Sequence, residues 1–209
     1  ALKNIFKNQN IIIVSPGPSL EKNISALKRQ SSAIVLAVAQ ALPALTKHGI
    51  SPDFVFVMDP QDYSHALDDA DLTKICLICP DYVSKNFMNK SFKKTYLLMT
   101  EVSCLSENIF KSVKSYNLEN ASSVSVGAVL LSNKLGAAKI ALVGQDLSFS
   151  EQQYYGDFYD PTRIPNSSNN VAPSKPQEEL KYSLPGYYGG TVPTNFQYSV
   201  YHKQLQDIA

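Results

Sequence analysis

The stretch "IIIVSPGPSLEK", Ile11 to Lys22, decides the fold. Four consecutive β-branched residues, Ile11 to Val14, read as a strand covered on both faces, the pattern of strands in parallel α/β sheets. Ser15-Pro16-Gly17-Pro18-Ser19 then turns the chain, and Ser19 stands where the N-cap of a helix over Leu20 to Gln30 belongs. Amides at the start of such a helix point beyond the strand's carboxyl end. Free donors and the helix dipole both favour an anion there. The turn matches neither the dinucleotide G-x-G-x-x-G nor the P-loop G-x-x-x-x-G-K-[ST], and a rigid βα turn without a ligand is the plainer reading.

Working outward, strand and helix signals alternate through the first two-thirds of the chain, which predicts a mostly parallel sheet flanked by helices. Strands are expected at Ile11–Val14, Ala33–Ala37, Phe54–Met58, Ile75–Ile78, Thr95–Met99 and Lys139–Val143, with a short one near Ser122. Helices are expected near Leu20–Gln30, Leu42–His48, Tyr82–Asn89, Leu105–Ser115 and Gly127–Leu135. This is a Rossmann-like core over residues 1–150, and its functional loops gather at the carboxyl edge of the sheet. After Phe149 the character changes: residues 151–195 are rich in Tyr, Pro, Asn, Ser and Gly and lack periodicity. A loop of that length with that aromatic content is read as a lid or substrate-covering segment. Residues 196–209 permit a short helix returning to the core.

With 209 residues, 44% hydrophobic and 18% charged, the chain suits one packed domain rather than a disordered one. A net charge of +1 gives no sign of the strongly basic face that nucleic-acid binding uses, so an anion bound here is held by local geometry. No apolar run approaches the roughly 20 residues of a membrane span. The first residue is Ala, compatible with a domain cut from a longer chain. Cys76, Cys79 and Cys104 are an odd set with no signal peptide, which points to a reducing, cytoplasmic setting. Cys76 and Cys79 form a C-x-x-C inside the apolar run "ICLIC" and are read as core, not as a metal or redox site.

Three strand ends carry polar residues that a core does not need. They are Ser15 to Ser19; Asp59-Pro60-Gln61-Asp62, which closes "DFVFVMDPQD"; and Gly144-Gln145-Asp146, which closes "KIALVGQDLSFS". In an open parallel sheet these loops converge on one crevice. Plainer roles are a helix cap for Asp59 and a turn residue for Asp146. Ser122, Ser123 and Ser125 precede a helix start and place hydroxyls and amides near the same crevice. His48, His65 and His202 lie in no recognisable nucleophile context, so acyl transfer is not expected.

In combination, "VSPGPSL", "ALPALTKHGISPDFVFVMDP" and "SVSVGAVLLSNKLGAAKIALVGQDLSFS" resemble the core domain of the motility accessory factor family of flagellin glycosyltransferases. The same domain is similar to archaeal 6-hydroxymethyl-dihydropterin pyrophosphokinases and, more distantly, to bacterial sialyltransferases. The resemblance covers roughly residues 9–150, with weaker support from "GGTVPTNFQYSVYHKQLQDI". It implies a CMP-activated nonulosonic acid as donor, flagellin as acceptor, no required cofactor or metal, and no nucleic acid or membrane span. It further implies that Ser15, Gly17, Pro18, Ser19, Gln40, Gln61, Ser122, Ser123, Gly144 and Gln145 bind the nucleotide. Asp59, Asp146, Tyr154, Tyr155 and Asp157 would carry the chemistry, the two tyrosines by holding the leaving phosphate.

Two departures stand out. Pro16 replaces the Asn that relatives commonly carry before the first-loop Gly, and residues 151–195 contain no His to act as the sialyltransferase base. The base would then be a carboxylate such as Asp157 or Asp160. Two rivals follow: a pyrophosphokinase in which Asp59 and Asp146 hold Mg²⁺, and a non-catalytic module that binds flagellin or a sugar nucleotide.

Overall fold

A computed structural model describes residues 2, 4–98, 118, 121–149, 182–187 and 189–208. The expected helix over Leu105–Ser115, most of the lid segment, and Tyr154, Tyr155, Asp157 and Asp160 lie outside the described residues.

Six parallel strands form one sheet: β1 (Asn10–Val14), β2 (Ala33–Val38), β3 (Phe54–Phe56), β4 (Cys76–Pro80), β5 (Lys94–Leu98) and β6 (Lys139–Val143). Their spatial order is β5-β4-β3-β2-β1-β6. After β1 the chain winds outward through β2 to β5, then returns to pair β6 on the other side of β1, with Asn10 opposite both Ala33 and Lys139. The winding direction therefore reverses at β1. The carboxyl ends of β1 and β6 meet at this switch point, and a crevice opens there, as it does in open α/β sheets generally.

Both faces of the central strands are covered, which is why their sequences read as unbroken apolar runs. On one face Ile11, Ile13, Leu36, Phe56 and Ile78 pack with Ala128, Val129 and Leu131 of a helix at Val124–Lys134 (α4 below). On the other, Val14, Val35 and Ala37 pack with Leu20, Ile24 and Leu27 of α1 (Leu20–Arg29) and with Leu45 of α2 (Leu42–Lys47). A third cluster beside β3 and β4 joins Val55, Leu77 and Cys79 to Phe87 of the one-turn helix α3 (Lys85–Met88). The helix expected over Tyr82–Asn89 contracts to this turn, with Ser84 accepting from the Asn86 amide at 3.3 Å.

Three further expectations are corrected. No strand forms near Ser122; instead Ser123 Oγ accepts from the Val126 amide at 3.2 Å and starts α4 at Val124, three residues before the expected start at Gly127. The strand Lys139–Val143 is not buried on both faces: β6 is the sheet's edge, and Leu142 is 41% exposed. Within the segment read as aperiodic, Tyr182–Pro185 (β7) and Thr191–Thr194 (β8) pair as an antiparallel hairpin closed by Gly186, Gly189 and Gly190. Gly189 and Gly190 both have positive φ, which glycine adopts freely.

The last helix, α5 (Phe196–Ile208), packs against α4, and its Leu205 and Ile208 reach the core beneath. α4 is thus enclosed between sheet and α5, which explains an apolar character on all its sides. No described helix is long and apolar enough to cross a membrane. Cys76 and Cys79 are free; three residues apart on one strand, they point to opposite faces and share no ligand. Burial, with Asp81 nearby, pushes the Cys79 thiol up to about 12, so it stays protonated.

Candidate functional site

The crevice over β1 and β6 is a cleft of about 630 Å³. Its first wall is two loops pressed backbone against backbone. The Ser15 amide donates to the Val143 carbonyl and the Gly17 amide to the Gly144 carbonyl, each at 2.8 Å, so the parallel pairing runs on past both strands. Two glycines make this approach possible. Gly144 has φ +69°, and a Cβ there would stand 2.1 Å from the Ser15 carbonyl oxygen. A Cβ on Gly17 would stand 2.2 Å from Asp146 Oδ2 and 2.5 Å from the Gly144 oxygen.

Asp146 reaches under the start of α1, where Oδ2 accepts from the Ser19 amide at 2.8 Å. The anion at this helix N-terminus is therefore the protein's own carboxylate. The donors expected to be free at this helix start are therefore engaged: the amides of Gly17 and Ser19 are both bonded within the protein. Nor does the Ser19 side chain cap α1. Its backbone is already helical, at φ −68° and ψ −12°, and its hydroxyl makes no cap bond.

Beneath this wall lies a chain of neutral hydrogen bonds. Ser15, 3% exposed, donates from Oγ to Gln145 Oε1 at 2.7 Å, and its Oγ lies 3.0 Å from Ser125 Oγ. A serine hydroxyl has one hydrogen. Since Ser15 gives its hydrogen to Gln145, Ser125 is the donor in the serine pair.

The second wall is the loop after β3. Asp59 sits at the cleft lip, and its Oδ1 accepts from the Gln61 amide at 2.8 Å, an Asx turn rather than a helix cap. The Tyr63 hydroxyl bonds Gln61 Oε1. Asp62 accepts from the Ser64 amide at 3.0 Å and from Asn86 Nδ2. Burial pushes the Asp62 carboxyl up, but the bonds from Asn86 and Ser64, with His65 nearby, hold it below its ordinary value.

The third wall combines the start of α4 with α5. Ser122 donates from both its amide and its hydroxyl to Gln204 Oε1 of α5, the amide at 3.1 Å, which ties the two elements at the cleft floor. Asn195 caps α5, its Oδ1 accepting from the Tyr198 amide at 2.7 Å. Tyr198 stacks on Phe149 with ring centroids 5.3 Å apart. Thr194 Oγ1 donates to the Leu147 carbonyl at 2.8 Å, fixing the hairpin to the loop after β6, where Leu147 takes a φ of +49°. Tyr201 faces the Asp59 side of the cleft. Burial raises its phenol, the bond from Gln197 partly offsets that, and the Asp59 charge adds a smaller upward push, so it remains a protonated donor.

Of the residues singled out in the sequence, Ser15, Gly17, Gln40, Asp59, Ser122, Ser123, Gly144, Gln145 and Asp146 line this cleft together. Pro18, Ser19 and Gln61 do not line it; Ser19 and Gln61 support lining residues through hydrogen bonds. Sequence reasoning missed Tyr63, Asn195, Gln197, Tyr198 and Tyr201. Asn195 just before a helix was a visible N-cap signal, but nothing local shows that α5 folds back beside Ser122. Among the described lining residues there is no Lys, Arg or His, and Asp59 and Asp146 are the two carboxylates. For a divalent cation shared with phosphate oxygens, these two side chains are the ligands the cleft offers, and Asp146 already commits one oxygen to Ser19.

In open parallel sheets the crevice at the switch point, where this polar cleft lies, is where ligands bind. The family model for 6-hydroxymethylpterin diphosphokinase MptE-like proteins matches residues 1–152, and the chain belongs to that family. No curated protein matches the sequence. Among solved structures, the MAf glycosyltransferase from Magnetospirillum magneticum AMB-1 shares the fold, with a TM-score of 0.72 and 18% identity over 99% of this chain. The chain spans 30% of the length of that neighbour.

Proposed function

We propose that this chain is the donor-binding core of a glycosyltransferase that takes a CMP-activated nonulosonic acid and passes the sugar to a Ser or Thr hydroxyl of flagellin. The observation that carries the reading is a switch-point cleft of about 630 Å³ lined by hydroxyls and side-chain amides, with carboxylates but no cation among its described residues. Such a lining suits a sugar and a singly charged phosphodiester better than a triphosphate. The fold shared with a glycosyltransferase supports the same reading.

In this scheme the bond between the anomeric carbon and the phosphate oxygen breaks and CMP leaves with the electron pair. The acceptor oxygen forms the new bond to that carbon, and its proton passes to a carboxylate. Asp59 has the position for that base: it lies at the cleft lip, and Oδ1 alone carries a hydrogen bond. The protonated Tyr201 phenol, facing Asp59, is suited to donate to the departing phosphate. Tyr154, Tyr155 and Asp157 keep the roles the family resemblance implies.

The second reading, pyrophosphoryl transfer from ATP to a pterin alcohol, is favoured by the name of the family and by the pair Asp59 and Asp146 as Mg²⁺ ligands. Calorimetric titration with CMP and with ATP, each with and without Mg²⁺, separates the two. Metal-independent CMP binding is expected. ATP binding that requires Mg²⁺, with none by CMP, would replace the first reading by the second.

A further inference from the structure

Two side-chain amides in the cleft have their oxygens already committed. Gln145 Oε1 accepts from Ser15, and Asn195 Oδ1 accepts from the Tyr198 amide. A primary amide is planar, with its acceptor oxygen and its NH2 group at opposite edges of that plane, so fixing the oxygen fixes where the N–H groups point. Asn195 is only 8% exposed and Ser15 only 3%, so neither arrangement is loose. Both amides line the cleft, and neither nitrogen has a hydrogen-bond partner among the described residues.

The chain behind Gln145 is directional. Ser125 donates to Ser15, Ser15 donates to Gln145 Oε1, and Gln145 Nε2 is left as the terminal donor. α5's own capping requirement does the same for Asn195: the N-cap oxygen belongs to the helix, and the nitrogen is left over. With Gly17 and Ser19 bonded internally, these nitrogens are preset donors of a cleft that has no cation among its described lining residues.

We propose that Gln145 and Asn195 form a neutral donor pair that holds the phosphate ester of the bound nucleotide, with Ser15 and Ser125 as positioning residues that keep Gln145 turned donor-outward. The ligand class is a nucleoside monophosphate ester, whose single charge is matched by neutral N–H groups. This rests on the donor-binding reading above.

Gln145→Glu and Asn195→Asp test it, because each keeps the internal acceptor and reverses only the cleft-facing group. A carboxylate at 145 still accepts from Ser15, and one at 195 still caps α5, so both variants fold. Affinities for CMP and for cytidine, which lacks the phosphate, are measured by calorimetry on the whole chain. The expected result is a loss of about 10- to 100-fold for CMP in each variant, with cytidine changed by less than about twofold. Ser125→Ala, which removes the hydrogen that orders the chain, should weaken CMP several-fold with cytidine again unmoved. CMP affinity unchanged in both reversed variants, or CMP and cytidine lost in parallel, would overturn the proposal while leaving the donor-binding reading in place. Failure of the wild-type chain to bind CMP would overturn both.

Discussion

The loops after β1 and β6 and the loop after β3 face each other across one cleft, yet they are built differently. The first pair is locked by long-range contacts: backbone bonds between residues more than 120 positions apart, glycines that leave no room for a Cβ, and a carboxylate under a helix. The loop after β3 carries bonds within its own few residues, Asp59 to Gln61, Gln61 to Tyr63 and Asp62 to Ser64, and Asn86 is an outside partner. Contacts between distant parts of the chain hold one wall, and local turn bonds hold much of the other. The donor Gln145 stands on the first of these walls, where ordering is already done before binding, and the candidate base Asp59 on the locally held one.

That contrast breaks most visibly at the glycines. Gly144→Ala meets the Ser15 carbonyl and an unfavourable positive φ together, and should destabilise the fold by about 2–4 kcal/mol in chemical denaturation. A loss below about 0.5 kcal/mol would mean the two loops are not interlocked. On the locally held wall the effects reverse in kind. Asp59→Asn should leave the melting temperature nearly unchanged, yet lower sugar transfer by the complete protein about 100-fold or more; full activity would remove Asp59 from the chemistry.

Smaller effects sharpen the picture. Ser123→Ala removes the α4 cap and should cost about 1 kcal/mol. Asp146→Asn takes the charge from the start of α1 and should cost about 0.3–1 kcal/mol; no change would show that Asp146 matters to ligand alone. The smallest effect is at Asp62. Its folded pKa lies below the ordinary 3.8, so its contribution is present above that pH and fades as pH falls through the folded value. Asp62→Asn should therefore lower stability slightly at neutral pH, leave it unchanged well below about pH 4, and so flatten the acid limb of a stability profile.

Much of this was legible in the sequence because it is local. Lys139–Val143 and the helix Leu20–Arg29, expected over Leu20–Gln30, follow from apolar runs and turn chemistry alone. The three polar strand ends predict their own convergence, because a parallel sheet brings carboxyl ends to one edge. What stayed hidden depends on tertiary contact. Ser19 looks like a cap, but Asp146, 127 residues away, supplies the acceptor. The edge position of β6 is a matter of topology, and its sequence resembles that of a central strand. Tyr198, Tyr201 and Asn195 enter the cleft only because α5 docks on α4 through Ser122 and Gln204. The hairpin of β7 and β8 was masked by the composition around it, since its strands carry Pro185 and Pro193, residues that argue against a strand.

The measurement that bears most directly on the account is a crystal structure of the chain with CMP bound. The nucleotide should lie over the carboxyl ends of β1 and β6, with its phosphate within hydrogen-bonding distance of Gln145 Nε2 and Asn195 Nδ2 and Asp59 facing the open side of the cleft. A phosphate held by Asp59 and Asp146 through a metal ion, or a nucleotide bound away from the β1 and β6 loops, would contradict it.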